Sequence, residues 1–220
     1  MSDKLVRYIN QFGYLRNKDV AGLLYGDDVR KAQRATSAAV ASGRLAERRI
    51  GNSSRFCLPT ETSLLDNVTG HRDASNAVLI DGMVTGIATG VITDRQIQLN
   101  QSAYTLNNKI PDGLLLDEYE CPEGNRVDYG WLEVENSERS GRDVQVLGDW
   151  LIKTFMSTRN WHVLPDYRNG FLAWVIVAVS ASSAEKIEAR LKSYIERAYG
   201  RDHSDFVAHV LSERVQFIRV

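Results

Sequence analysis

Phe-Leu-Ala-Trp-Val-Ile-Val-Ala-Val-Ser, residues 171–180, is a continuous apolar run rich in β-branched side chains. A run of this length and composition suits a central strand buried on both faces of a sheet. The flanking sequence alternates in character. Upstream, Asp143 to Met156 reads as a helix with Val144, Leu147, Leu151 and Phe155 on one face. Downstream, Ser182 with Glu185 forms a capping-box pattern, and the helix it opens carries Ile187, Leu191, Ile195 and Ala198 and ends at Gly200. A short helix at Asp205 to Leu211 and a last strand, Val215 to Val220, follow. Further upstream, Val91 to Leu99 reads as a strand interrupted by Asp94 and Arg95. Lys109 to Leu116 reads as a strand opening on Pro111-Asp112, and Val127 to Glu135 as another. A helix is expected from His71 to about Ile87. Strands alternating with helices mean an α/β layered fold.

The chain has 220 residues, with 43% hydrophobic and 25% charged, ordinary values for a globular protein. It contains no run of about 18 apolar residues, which excludes a helical membrane span. Its start, Met1-Ser2-Asp3-Lys4, lacks a signal-peptide core, so the expected compartment is the cytoplasm. Cys57 and Cys121 have no partner at metal-ligand spacing and are expected to be free thiols. The net charge of −1 hides an asymmetry: residues 1–65 hold eleven Lys/Arg against six Asp/Glu, so the remainder is acidic. A basic head on an acidic body suggests that the head meets a polyanion.

That head has its own pattern. Leu5, Val6, Ile9 and Phe12 fall at helical spacing up to Gly13. Asn17 is placed to cap a second helix whose apolar face is Val20, Ala21, Leu23 and Leu24 and which stops near Gly26. Asp27 or Asp28 can cap a third, running to about Ser42, with Val29, Ala32, Ala35 or Thr36, and Ala39 or Val40 inward. Strands Leu45 to Ile50 and Arg55 to Leu58 flank the turn composition Gly51-Asn52-Ser53-Ser54. Residues 60–70 are polar, either a hinge or the start of a domain interface.

Three helices and a hairpin in this order resemble the winged helix–turn–helix of bacterial DNA-binding proteins. The residues carrying the resemblance are Gly13 to Tyr25 and Ala41 to Arg49. The third helix presents Arg30, Lys31, Arg34 and Ser37 opposite its alanine stripe, so its cations can reach phosphates and guanine edges in a major groove. Arg55 on the wing is expected to meet a phosphate or the minor groove. Domains are therefore expected at residues 1–62 and 63–220, the first binding double-stranded DNA and the protein acting as a homodimer.

In the second domain, Asp112 opens one strand and Glu133 and Glu135 close the next. Residues two apart on a strand share a face, so a neighbouring strand can bring three carboxylates together. Clustered carboxylates repel unless a cation joins them, and hard oxygen ligands suit Mg or Mn, which can polarise a phosphodiester and activate water. The plainer alternative is a solvated acidic face on an edge strand; Arg139 and Arg142, which follow at once, could neutralise the acids or hold a phosphate.

Pro111-Asp112 followed by Glu133-Val134-Glu135 resembles the PD-(D/E)xK motif of restriction-endonuclease-like nucleases. The resemblance implies a mixed-sheet nuclease fold in which Asp112 and Glu133 hold the metal. Glu135 stands where that motif has lysine; Lys153 on the following helix is a candidate migrated lysine, and Gln145 on the same helix a candidate helper. A winged helix, a helix opening with His71, and this carboxylate pair together resemble the replication–relaxation family of plasmids and mobile elements. That resemblance implies a role in plasmid replication or transfer, with replication or transfer proteins as partners. Two functions remain open: a metal-dependent nicking endonuclease, and an inactive nuclease-like regulator that binds DNA.

Overall fold

The computed structural model describes residues 2–122, 124–135, 141–157, 161–162 and 170–220. Helix α1 (Ser2–Phe12) ends at Gly13, whose φ of 80° is open to glycine. A two-residue strand β1 (Leu15–Arg16) leads into α2 (Asn17–Tyr25). Asn17 is the first residue of α2 rather than its cap. The start is held by Asp19, whose carboxylate accepts the Arg16 backbone N–H at 2.8 Å, and Asn17 Oδ1 accepts from buried Thr36 instead, at 2.8 Å. That bond ties α2 to α3 (Val29–Ala41), which Asp28 caps by accepting from Lys31 N at 3.0 Å. Strands β2 (Ala46–Ile50) and β3 (Ser53–Cys57) form a hairpin, and β1 pairs with β3, giving the order β1-β3-β2.

The second sheet has six strands, β4 (Gly90–Thr93), β5 (Gly113–Cys121), β6 (Gly124–Glu135), β7 (Trp161–His162), β8 (Gly170–Val179) and β9 (Val215–Arg219). β4, β5 and β6 form an antiparallel meander. β8 then lies parallel to β6 and to β9, a pairing that needs a crossover, here α6 (Gly141–Met156) and the elements after it. The fold is thus α/β with a mixed sheet. From Val175 to Val179, β8 is buried at every residue, as its unbroken apolar run demands. One face of the sheet packs α6 and α7 (Ala184–His209), through Trp131, Tyr129, Val177, Leu151 and Leu191. The opposite face packs α4 (Gly70–Val84) through Leu115, Leu132, Val134 and Leu79.

That second apolar cluster does not stop at α4. It runs on through Phe12, Leu15, Val20 and Phe56 of the amino-terminal helices and hairpin. Residues 60–70 are accordingly no free hinge: Pro59–Asn67 is a 3-10 segment, Leu65 is buried beside Tyr14 and Cys57, and Glu61 pairs with Arg95.

Three expected elements of the second sheet and its helices shift. The expected strand Val91 to Leu99 is β4 followed by α5 (Asp94–Leu99), because Thr93 and Gln96 make a reciprocal cap. The strand expected from Lys109 starts at Gly113. The helix expected to open on Ser182 begins at Ala184 without a side-chain cap, and it continues past Gly200 to His209 with a kink at His203. Where β6 and β8 slip register, at Tyr129/Gly130, the Trp174 indole lies on Gly130: a Cβ there would stand 2.1 Å from Trp174 Nε1. Gly130→Ala is therefore expected to cost about 1–3 kcal/mol by overpacking, read as a lower urea midpoint with an unchanged slope.

Candidate functional site

The pairing of Gly113 with Leu132 sets Asp112 across from Glu133. Asp112 is locked there by its backbone N–H to Leu132 O at 2.9 Å, and its Oδ2 accepts from Val134 N at 2.7 Å. From α4, His71 Nε2 meets Asp112 Oδ1 at 2.8 Å and Ser75 donates to the Asp112 carbonyl at 2.7 Å. The bond to Asp112 raises the His71 pKa, and the charges of Asp94 and Glu133 add to the effect.

Glu133 and Glu135 do share a face of β6, but it is not a solvated one. They are 4% and 1% exposed, and the alternating Leu132 and Val134 are buried as well. β6 is a central strand, flanked by β5 and β8, which removes the edge-strand alternative. Glu133 Oε1 accepts from Lys109 Nζ at 2.7 Å, and Oε2 from Trp131 Nε1 at 3.2 Å. Burial drives the Glu133 pKa up, Asp112 adds to that, and Lys109 works against it.

Lys109 is the residue that spacing did not reveal. It follows the turn Asn107-Asn108, both at positive φ (50° and 63°), closed by reciprocal backbone bonds between Leu106 and Lys109 at 2.9 and 3.0 Å. Two successive left-handed residues define a type I′ turn, which asparagine tolerates. Helix α6 fixes the turn: Trp150 Nε1 donates to Leu106 O and Asn107 Nδ2 to Thr154 Oγ1. Lys153 and Gln145, expected as substitute lysine and helper, are exposed on α6, and the ammonium at Glu133 comes from Lys109. Arg142 is exposed; Arg139 lies outside the described residues.

Asp112 and Glu133 present hard oxygen donors, the chemistry a Mg or Mn ion takes. Their four oxygens are each engaged by a protein donor, so an ion there has to share lone pairs with His71 or Lys109 or displace them. Among the described residues no group of three His, Cys, Asp or Glu is gathered to hold a metal.

The basic helix is a separate surface. Arg30, Lys31, Arg34 and Ser37 are exposed on α3, while Ala32, Thr36 and Ala39 are buried beneath. On the hairpin, Arg48 and Arg49 are exposed. Arg55 is not a wing-tip cation. It is 7% exposed, and its guanidinium donates to Asp73 of α4 at 2.5 Å and to Ile50 O at 3.2 Å. β3 is the middle strand of its sheet, and this position points into the junction with α4. Tyr14 also donates to Asp73, at 2.7 Å. No helix among the described residues is long and apolar enough to cross a membrane. No family model, curated protein or solved structure matches the chain.

Proposed function

We propose that the chain binds double-stranded DNA through α3, as the recognition helix of a winged helix–turn–helix made by α1–α3 and the β2–β3 hairpin. The observation that carries this reading is the segregation on α3 of exposed Arg30, Lys31 and Arg34 from buried Ala32 and Ala39. Small buried residues keep the helix close to its support, and long cations on the outer side span the distance to phosphates and base edges. Arg49 on the hairpin adds positive charge where a wing meets the backbone, while the exposed Arg48 beside it pairs with Asp66. A homodimer reading paired half-sites fits this mode. The resemblance to replication–relaxation proteins suggests plasmid replication or transfer as the process such binding would serve.

The test is a salt-controlled anisotropy titration of duplex DNA. Arg30→Ala or Arg34→Ala is expected to weaken binding by about 1–3 kcal/mol where the side chain reads a base, and to lower the salt slope by about 1 where it meets a phosphate. Unchanged affinity and slope in both variants would sink the reading.

A second reading is favoured by one observation, the meeting of Asp112, Glu133 and Lys109 at the end of β6. In it the sheet domain is a Mg-dependent endonuclease of the PD-(D/E)xK kind. Asp112 and Glu133 would hold the ion, Glu135 would orient the water or bind a second ion, and Lys109 would supply the positive charge that the motif places at 135. A bound ion supplies Lewis-acid polarisation of the phosphodiester. Nicking of supercoiled plasmid that needs Mg²⁺, and that Glu133→Gln abolishes while DNA affinity stays, is the expected result. Failure to nick, with no Mg²⁺ heat in calorimetry, leaves a DNA-binding regulator on a nuclease-like scaffold.

A further inference from the structure

Helix α7 carries a second cationic surface that neither reading uses. Lys186, Arg190, Arg197 and Arg201 are all exposed along it. At 3.6 residues per turn these positions fall within about 60° of one another around the axis, along a rise of about 22 Å. Glu185, Glu188 and Glu196 lie about 110° or more from the middle of that stripe. Two of these acids are already neutralised off the stripe, Glu188 by Lys192 at 2.6 Å and Glu185 by Arg219 at 3.2 Å. Arg190, Arg197 and Arg201 make no ion pair among the described residues.

Beside the stripe runs a groove of about 380 Å³ between α6 and α7, lined by Gln145, Arg190, Ser193, Tyr194 and Arg197. The two helices approach closely at Gly148, where a Cβ would stand 2.7 Å from the Tyr194 ring. The acid on this side, Asp149, is covered by the phenols of Tyr194 and Tyr199 at 2.7 and 2.6 Å. Guanidinium groups spaced along a straight ridge, with amide and hydroxyl donors and an aromatic ring beside them, match a phosphodiester backbone more closely than a compact anion.

We infer that the α7 stripe is a second nucleic-acid contact, taking a phosphodiester backbone on Arg190, Arg197 and Arg201. It lies on the sheet face opposite α4 and the amino-terminal helices, so it engages a different stretch of nucleic acid from the one under α3. The inference extends the DNA-binding reading and uses none of the residues on which that reading rests.

The experiment uses the full chain in the Arg30→Ala/Arg34→Ala background, with a labelled duplex, its single strand and labelled polyglutamate as probes. Residual salt-dependent binding of an oligonucleotide is expected there. Adding Arg190→Gln, Arg197→Gln and Arg201→Gln is expected to weaken it at least tenfold. The same change should lower the salt slope by about 2–3 for duplex, at about 0.9 for each phosphate that is no longer neutralised. All three positions are exposed, and an unchanged melting temperature verifies the fold. The better-bound oligonucleotide identifies the strand state recognised. Absence of residual binding, an unchanged slope in the combined variant, or polyglutamate bound as tightly as either oligonucleotide would overturn the inference. If the α3 substitutions change nothing while the α7 substitutions remove binding, α3 fails as the recognition helix and the α7 contact stands.

Discussion

Asp73→Ala is expected to destabilise the protein by about 3–5 kcal/mol, the usual cost of leaving a buried charge without its partner. The stranded group is Arg55, whose side chain is 8% exposed and whose remaining bond is to a single carbonyl, Ile50 O. The substitution also frees the Tyr14 hydroxyl, which is buried with its ring. Burial alone would raise the Asp73 pKa, but the bonds from Arg55 and Tyr14 outweigh it and hold the carboxyl below its ordinary range. A depressed folded-state pKa contributes stability that is present above the unfolded value and lost as pH falls through the folded one. The native protein should therefore weaken in acid over that window, and Asp73→Asn should flatten the profile while lowering it throughout. Urea midpoints across the acid range give both quantities. Arg55→Met/Asp73→Leu, which removes the pair and fills its volume, is expected to recover most of the stability. An Asp73→Ala protein as stable as the native one would show that the pair does not hold the hairpin to α4.

The same pair shows where sequence reading succeeds and where it stops. Helix spacing, Gly13 and Gly26 at helix ends, and the apolar run of β8 are local signals, and the elements they indicate are present because nothing distant opposes them. The exposure of Arg30, Lys31 and Arg34 was legible for the same reason: it depends only on the face of one helix. Arg55 has an equally local signal, a cation near a tight turn, yet its side chain is claimed by a partner eighteen positions away on another element. The juxtaposition of Asp112 and Glu133 was legible because strand pairing carries it. The burial of Glu133 and Glu135 was not, since alternation along β6 reports two faces but not that α6 and α7 cover one of them and α4 the other. The strand expected across Asp94 failed on turn chemistry: Thr93-x-x-Gln96 is a capping box, and the acid read as an interruption begins α5. Lys109 was hidden by assignment to a strand. The Asn107-Asn108 pair ahead of it is the signal that could have found it, because asparagine is among the few residues that tolerate two left-handed positions in succession.

Lys109→Met is expected to be the more damaging change at the carboxylate site, and to alter the pH profile as well as the midpoint. Glu133 is 4% exposed and accepts from the Lys109 ammonium and from the neutral Trp131 indole. Without that ammonium, burial and the neighbouring Asp112, which both raise the Glu133 pKa, lose their main opposition and leave the Trp131 hydrogen bond working against them. A carboxyl whose folded pKa lies above its unfolded value binds more protons in the native state. Its contribution is then fully present below the unfolded pKa and is lost as pH rises through the folded one. The variant should therefore approach native stability in acid and fall short by about 3–5 kcal/mol near neutrality, the opposite slope to that of the Asp73 pair. Glu133→Gln added to Lys109→Met should remove this dependence, because the amide is neutral and can still accept from Trp131. Measuring the four proteins of this cycle at acid and neutral pH separates the charge effect from packing. A Lys109→Met deficit that is the same at both pH values would mean that the contact acts through packing alone. Equal stability of Lys109→Met and the native protein at neutral pH would mean that Glu133 is already neutral there, and a neutral acid is a poor ligand for a divalent ion. The outcome thus bears on the nuclease reading before any cleavage assay is run, since only an ionised Glu133 beside Asp112 offers the charge that holds Mg²⁺.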